Sequence, residues 1–241
     1  MNDEISRVAT DLAKLTESDC AVVLIGSAAR GCRTEHSDID ILLISTEKIT
    51  SLPLISGYHI KFETEADFMR RLAAGEDFEA WCVRLGVPLV DRAVWSRIKA
   101  VAVDVWPRWE LKVLHGVRRL LLASQLSEMG DLFAAKEELV FALGHIARGL
   151  LLKTGTFPLS RPELAGQVRS LGYVHLADLH ERLRIGETPS PEEITLALLY
   201  SKKLLVYLDR TTYARIAKDY VKLARVKELK RAQRNGPPNG V

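Results

Sequence analysis

Two acidic residues, Asp38 and Asp40, stand two positions apart where an apolar segment begins. In a β-strand this spacing places both side chains on the same face of the sheet. Because neighbouring carboxylates repel each other, such a pair indicates a bound cation. Divalent ions such as Mg2+ bind carboxylate oxygens and keep coordination positions open for substrate phosphates, and two such ions can stabilise an in-line displacement at phosphorus. We therefore predict that Asp38 and Asp40 bind metal, either Mg2+ or Mn2+.

A glycine and a serine, Gly26 and Ser27, lie upstream of this pair, with ten residues between Ser27 and Asp38. They follow the apolar residues 21–25, which read as a buried strand, and a short helical turn is expected after them. The free N–H groups at a helix start suit a phosphate, and a glycine lets the backbone approach it closely. The Ser27 hydroxyl adds one donor, and Arg30 lies one turn further along. This segment is therefore a predicted phosphate-binding turn.

The combination of these features resembles the motif of the DNA polymerase β-type nucleotidyltransferase superfamily. That motif consists of Gly-Ser, ten residues and Asp-x-Asp, and the resemblance covers residues 1–105. The nucleotide-binding residues that it implies are Gly26, Ser27, Arg30 and Ser37. The metal ligands that it implies are Asp38 and Asp40. The implied reaction transfers a nucleoside monophosphate from a nucleoside triphosphate to an acceptor hydroxyl and releases pyrophosphate.

Members of this superfamily usually carry one more acid on the next strand, on the face of the Asp pair. Residues 58–63 alternate in polarity and predict a half-buried strand whose polar face offers His59, Lys61 and Glu63. Glu63 is the only acid among them, so we predict it as a catalytic residue together with Asp38 and Asp40. The alternative is that Lys61 opposes cation binding. The domain would then be catalytically impaired and act as a nucleotide-binding or regulatory partner.

The order of elements predicts the fold class. Helices are expected at 3–16, 64–75 and 77–85, and strands at 21–25, 39–44 and 58–63. Beyond Pro107 only helical patterns remain, at 108–128, 131–153, 161–170, 175–184, 191–209 and 211–234. We predict an α/β nucleotidyltransferase domain with a small mixed sheet and helices, followed by an all-α helical bundle. The predicted domains are 1–105 and 106–234, with a disordered tail at 235–241.

An α/β domain followed by a helical bundle also resembles two arrangements within the superfamily. One is the minimal nucleotidyltransferases found with HEPN-type helical domains in toxin–antitoxin systems, and the other is the antibiotic nucleotidyltransferases. HEPN ribonucleases carry Arg and His at a spacing that occurs twice here, at Arg30 and His36 and at Arg169 and His175. Because so loose a spacing arises easily by chance, we favour structural roles for Arg169 and His175.

The composition is that of an ordinary globular protein, with 47% hydrophobic and 27% charged residues. The apolar runs are too short to span a bilayer, and the first residues do not form a signal peptide. Three cysteines without a Cys-x-x-Cys pair argue against a disulfide framework and a structural zinc site. We therefore expect a cytoplasmic protein without a membrane partner.

The net charge is uneven along the chain. Residues 211–241 contain eight Lys or Arg and two acids, so this segment carries +6 while the whole chain carries +3. A basic segment can attract a phosphate-rich partner, although a solvated helix face is the more common explanation. The acceptor therefore stays open between a protein, RNA and a small aminoglycoside-like molecule, and the sequence is compatible with a homo-oligomer.

Overall fold

The computed structural model describes residues 3–33, 37–102 and 105–234, and for residues 221–234 it describes the backbone alone. The chain forms two compact units. Unit 1 comprises Met1–Arg108 together with the short segment Leu159–Glu163, and unit 2 comprises Trp109–Pro158 and Leu164–Val241. The grouping of a segment near residue 160 with the N-terminal residues was not predicted from the sequence.

Unit 1 is built on a four-stranded mixed sheet. Its strands are β1 (Cys20–Ile25), β2 (Ile39–Ser45), β3 (Tyr58–Thr64) and β4 (Val87–Asp91). The spatial order is β3-β2-β1-β4. β1 pairs antiparallel with β2 and with β4, whereas β2 pairs parallel with β3. The two central strands are therefore β1 and β2, and the turn that we predicted to bind phosphate follows β1 directly.

Helices cover both faces of this sheet. They are α1 (Asp3–Ala13), α2 (Gly26–Ala29), α3 (Glu65–Ala73), α4 (Asp77–Leu85) and α5 (Val94–Val101). Leu12 of α1 packs with Val22 and Ile41 in one apolar core, and α3, α4 and α5 contact the central strands. Because β1 is buried along its whole length, its sequence is a continuous apolar run and not an alternating one.

The side chain of Thr64 caps the start of α3. The Thr64 side chain accepts a hydrogen bond from the backbone N–H of Asp67 at 3.1 Å, which satisfies one free donor of α3. The Thr64 hydroxyl also donates to the Asp67 carboxylate at 3.0 Å. The cap ends β3 and starts α3 without a loop, so the direction of α3 is fixed by the strand before it.

The elements of unit 2 are all helices within its described residues. Its helices are α6 (Trp109–Glu128), α7 (Leu132–Lys153), α8 (Arg161–Ser170, whose first three residues belong to unit 1), α9 (Val174–Ile185) and α10 (Pro191–Arg234). Buried residues such as Val117, Leu143 and Leu205 form a single apolar core. Asp209 interrupts α10 with φ −157° and ψ 93°, which matches the predicted separation of helices 191–209 and 211–234.

The predicted fold class is confirmed, since a mixed four-stranded sheet with helices precedes a helical region. The domain boundaries 1–105 and 106–234 stay a prediction, because compact packing does not show that each part folds alone. The predicted disordered tail at 235–241 lies outside the described residues. Within the part of the chain that the structure describes, no helix has the length and apolar character needed to cross a membrane.

A buried cluster of charges lies where β3 meets α3 and α4. The Glu63 carboxylate contacts the Lys61 ammonium at 2.6 Å and the Arg71 guanidinium at 3.3 Å. Arg71 also lies 3.6 Å from the carboxylate of Glu79. Glu79 is 1% exposed, and its burial raises its pKa to about 7, with the nearby Glu63 charge acting in the same direction. A substantial fraction of this carboxyl is therefore protonated near neutral pH.

We predict that Glu79 makes the protein less stable as the pH rises. A carboxyl whose folded-state pKa is raised stabilises the fold fully below its ordinary pKa of 4.5, and this contribution is lost as the pH passes about 7. Glu79→Gln is neutral at every pH, so it should gain roughly 1–3 kcal/mol over the native protein at pH 8 and little at pH 4. Urea unfolding at both pH values measures the difference.

The matched control is Glu137→Gln, which removes one carboxylate from an exposed position on α7. It should follow the native protein at both pH values. If Glu79→Gln is more stable than the native protein by the same amount at pH 4 and pH 8, the raised pKa of Glu79 is not the cause of the difference.

Candidate active site around Gly26 and Asp40

The pairing of the two central strands brings the predicted phosphate-binding turn to the carboxylate pair. In the β1–β2 register Ile25 lies opposite Asp40, and Gly26 is the next residue along the chain. Thirteen positions separate Gly26 from Ile39, yet both lie at the same end of this strand pair. The antiparallel ladder therefore positions Gly26 beside Asp40 without help from the intervening loop, of which residues 34–36 lie outside the described chain.

Gly26 occupies a position that excludes any side chain. Its φ is +69°, in the left-handed region that favours glycine. A Cβ atom built on residue 26 would overlap the carboxylate group of Asp40. The backbone of the turn thus packs directly against the acid that we predicted as a metal ligand, and a side chain at 26 would displace that acid.

The two acids of the pair differ in their surroundings. Asp38 is exposed and precedes β2, whereas Asp40 is the second residue of β2 and its side chain is partly exposed. Oδ1 of Asp40 lies 3.1 Å from Nδ1 of the exposed His59. His59 is the residue directly opposite Asp40 in the parallel β2–β3 register. The position next to Asp40 on the neighbouring strand is therefore an imidazole and not a carboxylate.

Glu63 does not reach this site. It pairs in register with Ile44, four residues along β2 from Asp40. Four residues of a strand extend about 13 Å, which is far beyond the distance that two ligands of one metal can span. Its carboxylate is buried and engaged by Lys61 and Arg71. The structure therefore does not bring the predicted third catalytic carboxylate to the Asp pair, and we do not retain it in the proposed site.

The remaining predicted nucleotide-binding residues lie in and after the turn. Ser27 is partly buried, and its carbonyl accepts a hydrogen bond from the backbone N–H of Cys32 at 3.0 Å. The Ser37 carbonyl accepts one from Nε of Arg33 at 2.9 Å. Arg30 donates its guanidinium N–H groups to the carboxylate of Glu163. This contact, to a residue 133 positions away, was not predicted from the sequence.

The carboxylates of Asp38 and Asp40 are the side chains that we predicted to bind a metal ion. Among the described residues, no group of three or more His, Cys, Asp or Glu side chains is placed to hold a metal ion. Two carboxylates are nevertheless a common protein contribution to Mg2+, which keeps water and takes its other ligands from substrate phosphates. Asp38 and Asp40 therefore fit a cation that binds together with a triphosphate, and not one held by the protein alone.

The second Arg and His pair, considered as a HEPN feature, has structural contacts. Arg169 donates to the carboxylates of Asp178 and Glu181 at 2.7 and 2.8 Å. His175 packs edge-on against Tyr200, with 4.5 Å between ring centroids. These contacts agree with the structural roles that we favoured. His36 of the first pair and the side chains of the basic residues 222–234 lie outside the described part of the chain.

Comparison with known proteins identifies the class of this domain. Residues 5–88 match the family model of the nucleotidyltransferase domain. The N-terminal unit thus contains a nucleotidyltransferase domain, which confirms the resemblance to the polymerase β-type superfamily. The matched range includes the turn at Gly26, the Asp pair and His59.

A nucleotidyltransferase-like protein from Exiguobacterium sibiricum 255-15 is similar in structure, with 19% sequence identity and a TM-score of 0.45. The similarity covers 88% of this chain and 77% of that protein. Among curated proteins, none matches the chain.

The contact between Gly26 and Asp40 can be tested by adding one methyl group. Gly26→Ala should push the Asp40 carboxylate away from His59, so the His59 ring resonances should shift in an NMR spectrum. The variant should also lose about 1–2 kcal/mol of stability, because an L-residue is strained at this φ. Urea unfolding measures that loss.

Gly31→Ala is the matched control. Gly31 has the same φ of +69°, but a Cβ atom there would meet nothing within 4 Å. It should lose a similar amount of stability and leave the His59 resonances in place. If both variants shift the His59 resonances equally, the assigned contact is incorrect.

Proposed function

We propose that this protein transfers a nucleoside monophosphate from a nucleoside triphosphate to an acceptor hydroxyl and releases pyrophosphate. The observation that carries the proposal is the packing of Gly26 against the carboxylate of Asp40. A turn that binds phosphates and an acid that binds a cation act together only on a ligand that contains both phosphates and a cation. A metal–triphosphate complex is such a ligand, and the match to the nucleotidyltransferase domain family supports this choice.

The proposed roles follow from the positions of the side chains. Asp38 and Asp40 would hold Mg2+ or Mn2+, which would neutralise part of the charge on the triphosphate when bound. The backbone at Gly26 and the hydroxyl of Ser27 would orient the phosphates, with Ser37 beside the Asp pair. Positioning and electrostatic stabilisation would then supply most of the rate enhancement. The residue opposite Asp40 on the neighbouring strand is His59, so β3 offers an imidazole and not a carboxylate beside Asp40 to take the proton of the acceptor hydroxyl.

The imidazole beside Asp40 favours a second candidate function. If transfer requires a third carboxylate, the domain would bind a nucleoside triphosphate without transferring it and would act as a regulatory partner. His59 is the residue that motivates this alternative, since it occupies the position opposite Asp40. The two functions differ in one measurement, which is the release of pyrophosphate from a triphosphate that the protein binds.

The acceptor belongs to the same proposal. A hydroxyl on RNA or another polyanion would suit the basic segment after residue 211, whereas an aminoglycoside-like molecule would gain nothing from it. Affinity for RNA should fall steeply with added salt, because each neutralised phosphate releases counterions. A small cationic acceptor would not show that dependence.

The proposed function is tested by removing one acid of the pair. Asp40→Asn should lower the affinity for a nucleoside triphosphate in Mg2+ by roughly tenfold or more, since the metal loses a ligand. Titration calorimetry with ATP, GTP, CTP and UTP in turn measures binding, and pyrophosphate release from γ-labelled nucleotides measures transfer.

Asp11→Asn is the matched control. Asp11 is an exposed acid on α1 that pairs only with Lys14 among the contacts described here, so this variant changes the net charge equally and should bind like the native protein. If Asp40→Asn binds and transfers like the native protein, the site at the Asp pair is excluded.

A further prediction separates His59 from Glu63. His59→Asp places a third carboxylate directly opposite Asp40, so its affinity for Mn2+ in the presence of nucleotide should rise. Glu63→Gln changes a buried residue about 13 Å along the strand, so it should reduce stability and leave Mn2+ affinity unchanged. Electron paramagnetic resonance of free Mn2+ measures both. Lower Mn2+ affinity in Glu63→Gln, at unchanged stability, would restore Glu63 to the site.

A further inference from the structure

A second group of polar side chains lies in unit 1 and contacts the residue that ends the phosphate-binding turn. Arg30 donates from Nη2 to Oε1 of Glu163 at 2.9 Å and from Nε to Oε2 at 3.4 Å. Both residues belong to unit 1 although they are far apart in the sequence. Two parallel N–H···O bonds between a guanidinium and a carboxylate form a strong, directional pairing, so this contact fixes the orientation of Arg30.

Glu163 is itself held in place at the start of α8. The Ser160 hydroxyl donates to Oε2 of Glu163 at 2.5 Å, and the backbone N–H of Ser160 donates to the same oxygen at 3.3 Å. A Glu that reaches back to the N–H of a Ser three residues earlier is one half of a capping box. The pKa of Glu163 is lowered to about 2, first by the hydrogen bond from Arg30 and further by those from Ser160. The carboxylate is therefore ionised at any physiological pH.

Cys32 forms a second link between the segment Leu159–Glu163 and the turn. Its Sγ atom lies 3.2 Å from Oγ of the buried Ser160, and its backbone N–H donates to the carbonyl of Ser27 at 3.0 Å. The chain thus folds back on the turn after Arg30. The segment Leu159–Glu163 therefore contacts the residues that follow α2 at two points, Arg30 and Cys32, which lie on either side of Gly31.

We propose that Glu163 is a positioning residue for the phosphate-binding turn and acts through Arg30. α2 has only four residues, and a single helical turn is unstable without external contacts. Anchoring Arg30 and Cys32 to one segment holds α2 in its bound conformation, which lowers the ordering cost of binding a phosphate. Arg30 thereby acts on the turn and not on the phosphate. This inference rests on the proposed function, because the turn needs order only if it binds a nucleotide.

Glu163→Gln tests the inference with minimal disturbance. Glutamine also closes a capping box, so α8 keeps its start while Arg30 loses its ionised partner. The matched control is Glu65→Gln. Glu65 accepts two hydrogen bonds from Arg97 at 2.9 and 2.7 Å in the same unit, so this variant breaks the same kind of ion pair at another helix start.

Two measurements give the result. Cys20 and Cys82 are buried whereas Cys32 is partly exposed, so the rate of reaction with an aromatic disulfide reagent reports on Cys32. That rate should rise in Glu163→Gln and stay native in Glu65→Gln. The affinity for the nucleoside triphosphate in Mg2+ should fall roughly tenfold in Glu163→Gln and stay native in Glu65→Gln. A thermal melt of each variant checks that the fold is intact.

The double variant Arg30→Gln/Glu163→Gln decides how Arg30 acts. If Arg30 acts only on the turn, the double variant binds nucleotide as weakly as Glu163→Gln and no more weakly. A much larger loss in the double variant means that Arg30 contacts phosphate directly and overturns the inference. Native nucleotide affinity or native thiol reactivity in Glu163→Gln overturns the inference alone. A native protein that binds none of the four triphosphates overturns the proposed function together with it.

Discussion

The close approach of the Gly26 backbone to the Asp40 carboxylate is the constraint on which the candidate site depends. It is imposed by the antiparallel pairing of two strands that are buried along almost their whole length. A strand with one buried face can slip by one residue only by exposing its apolar side chains, and strands buried on both faces are held still more firmly. The core of unit 1 therefore fixes the position of Gly26 relative to Asp40, and this position does not depend on the loop between the two strands.

The same face of the sheet contains two different electrostatic environments. His59, Lys61 and Glu63 alternate along β3 with side chains 70%, 35% and 2% exposed. Near His59 the face is open to solvent. Near Glu63 the face is covered by α3 and α4, and charge there must be paired within the protein. Because Glu63 is buried and paired, it contributes to the stability of the fold. His59 is the residue of β3 that lies beside Asp40.

Much of this arrangement was predictable from local patterns, and the failures have physical causes. The strands β1, β2 and β3 follow from apolar runs and alternation, and the helix after β3 was predicted to start at residue 64. β4 was missed because Pro88 interrupts a short, exposed segment, although an edge strand tolerates a proline. Glu63 was assigned to the site because alternation gives the face of a residue but not its register with Asp40. The pairing of Arg30 with Glu163 depends on tertiary structure alone.

Among the described residues no third acid joins Asp38 and Asp40 in a metal-binding group, so at the proposed site metal and nucleotide binding would depend on each other. In the proposed reaction the cation would find few protein ligands at Asp38 and Asp40, so the triphosphate oxygens would have to complete its coordination. The triphosphate in turn would meet two carboxylates that repel it unless the cation is present. Each ligand would therefore raise the affinity for the other by the same factor, as linkage requires. A rigid turn at Gly26 would strengthen this coupling, because the phosphates would reach the cation without first ordering the backbone.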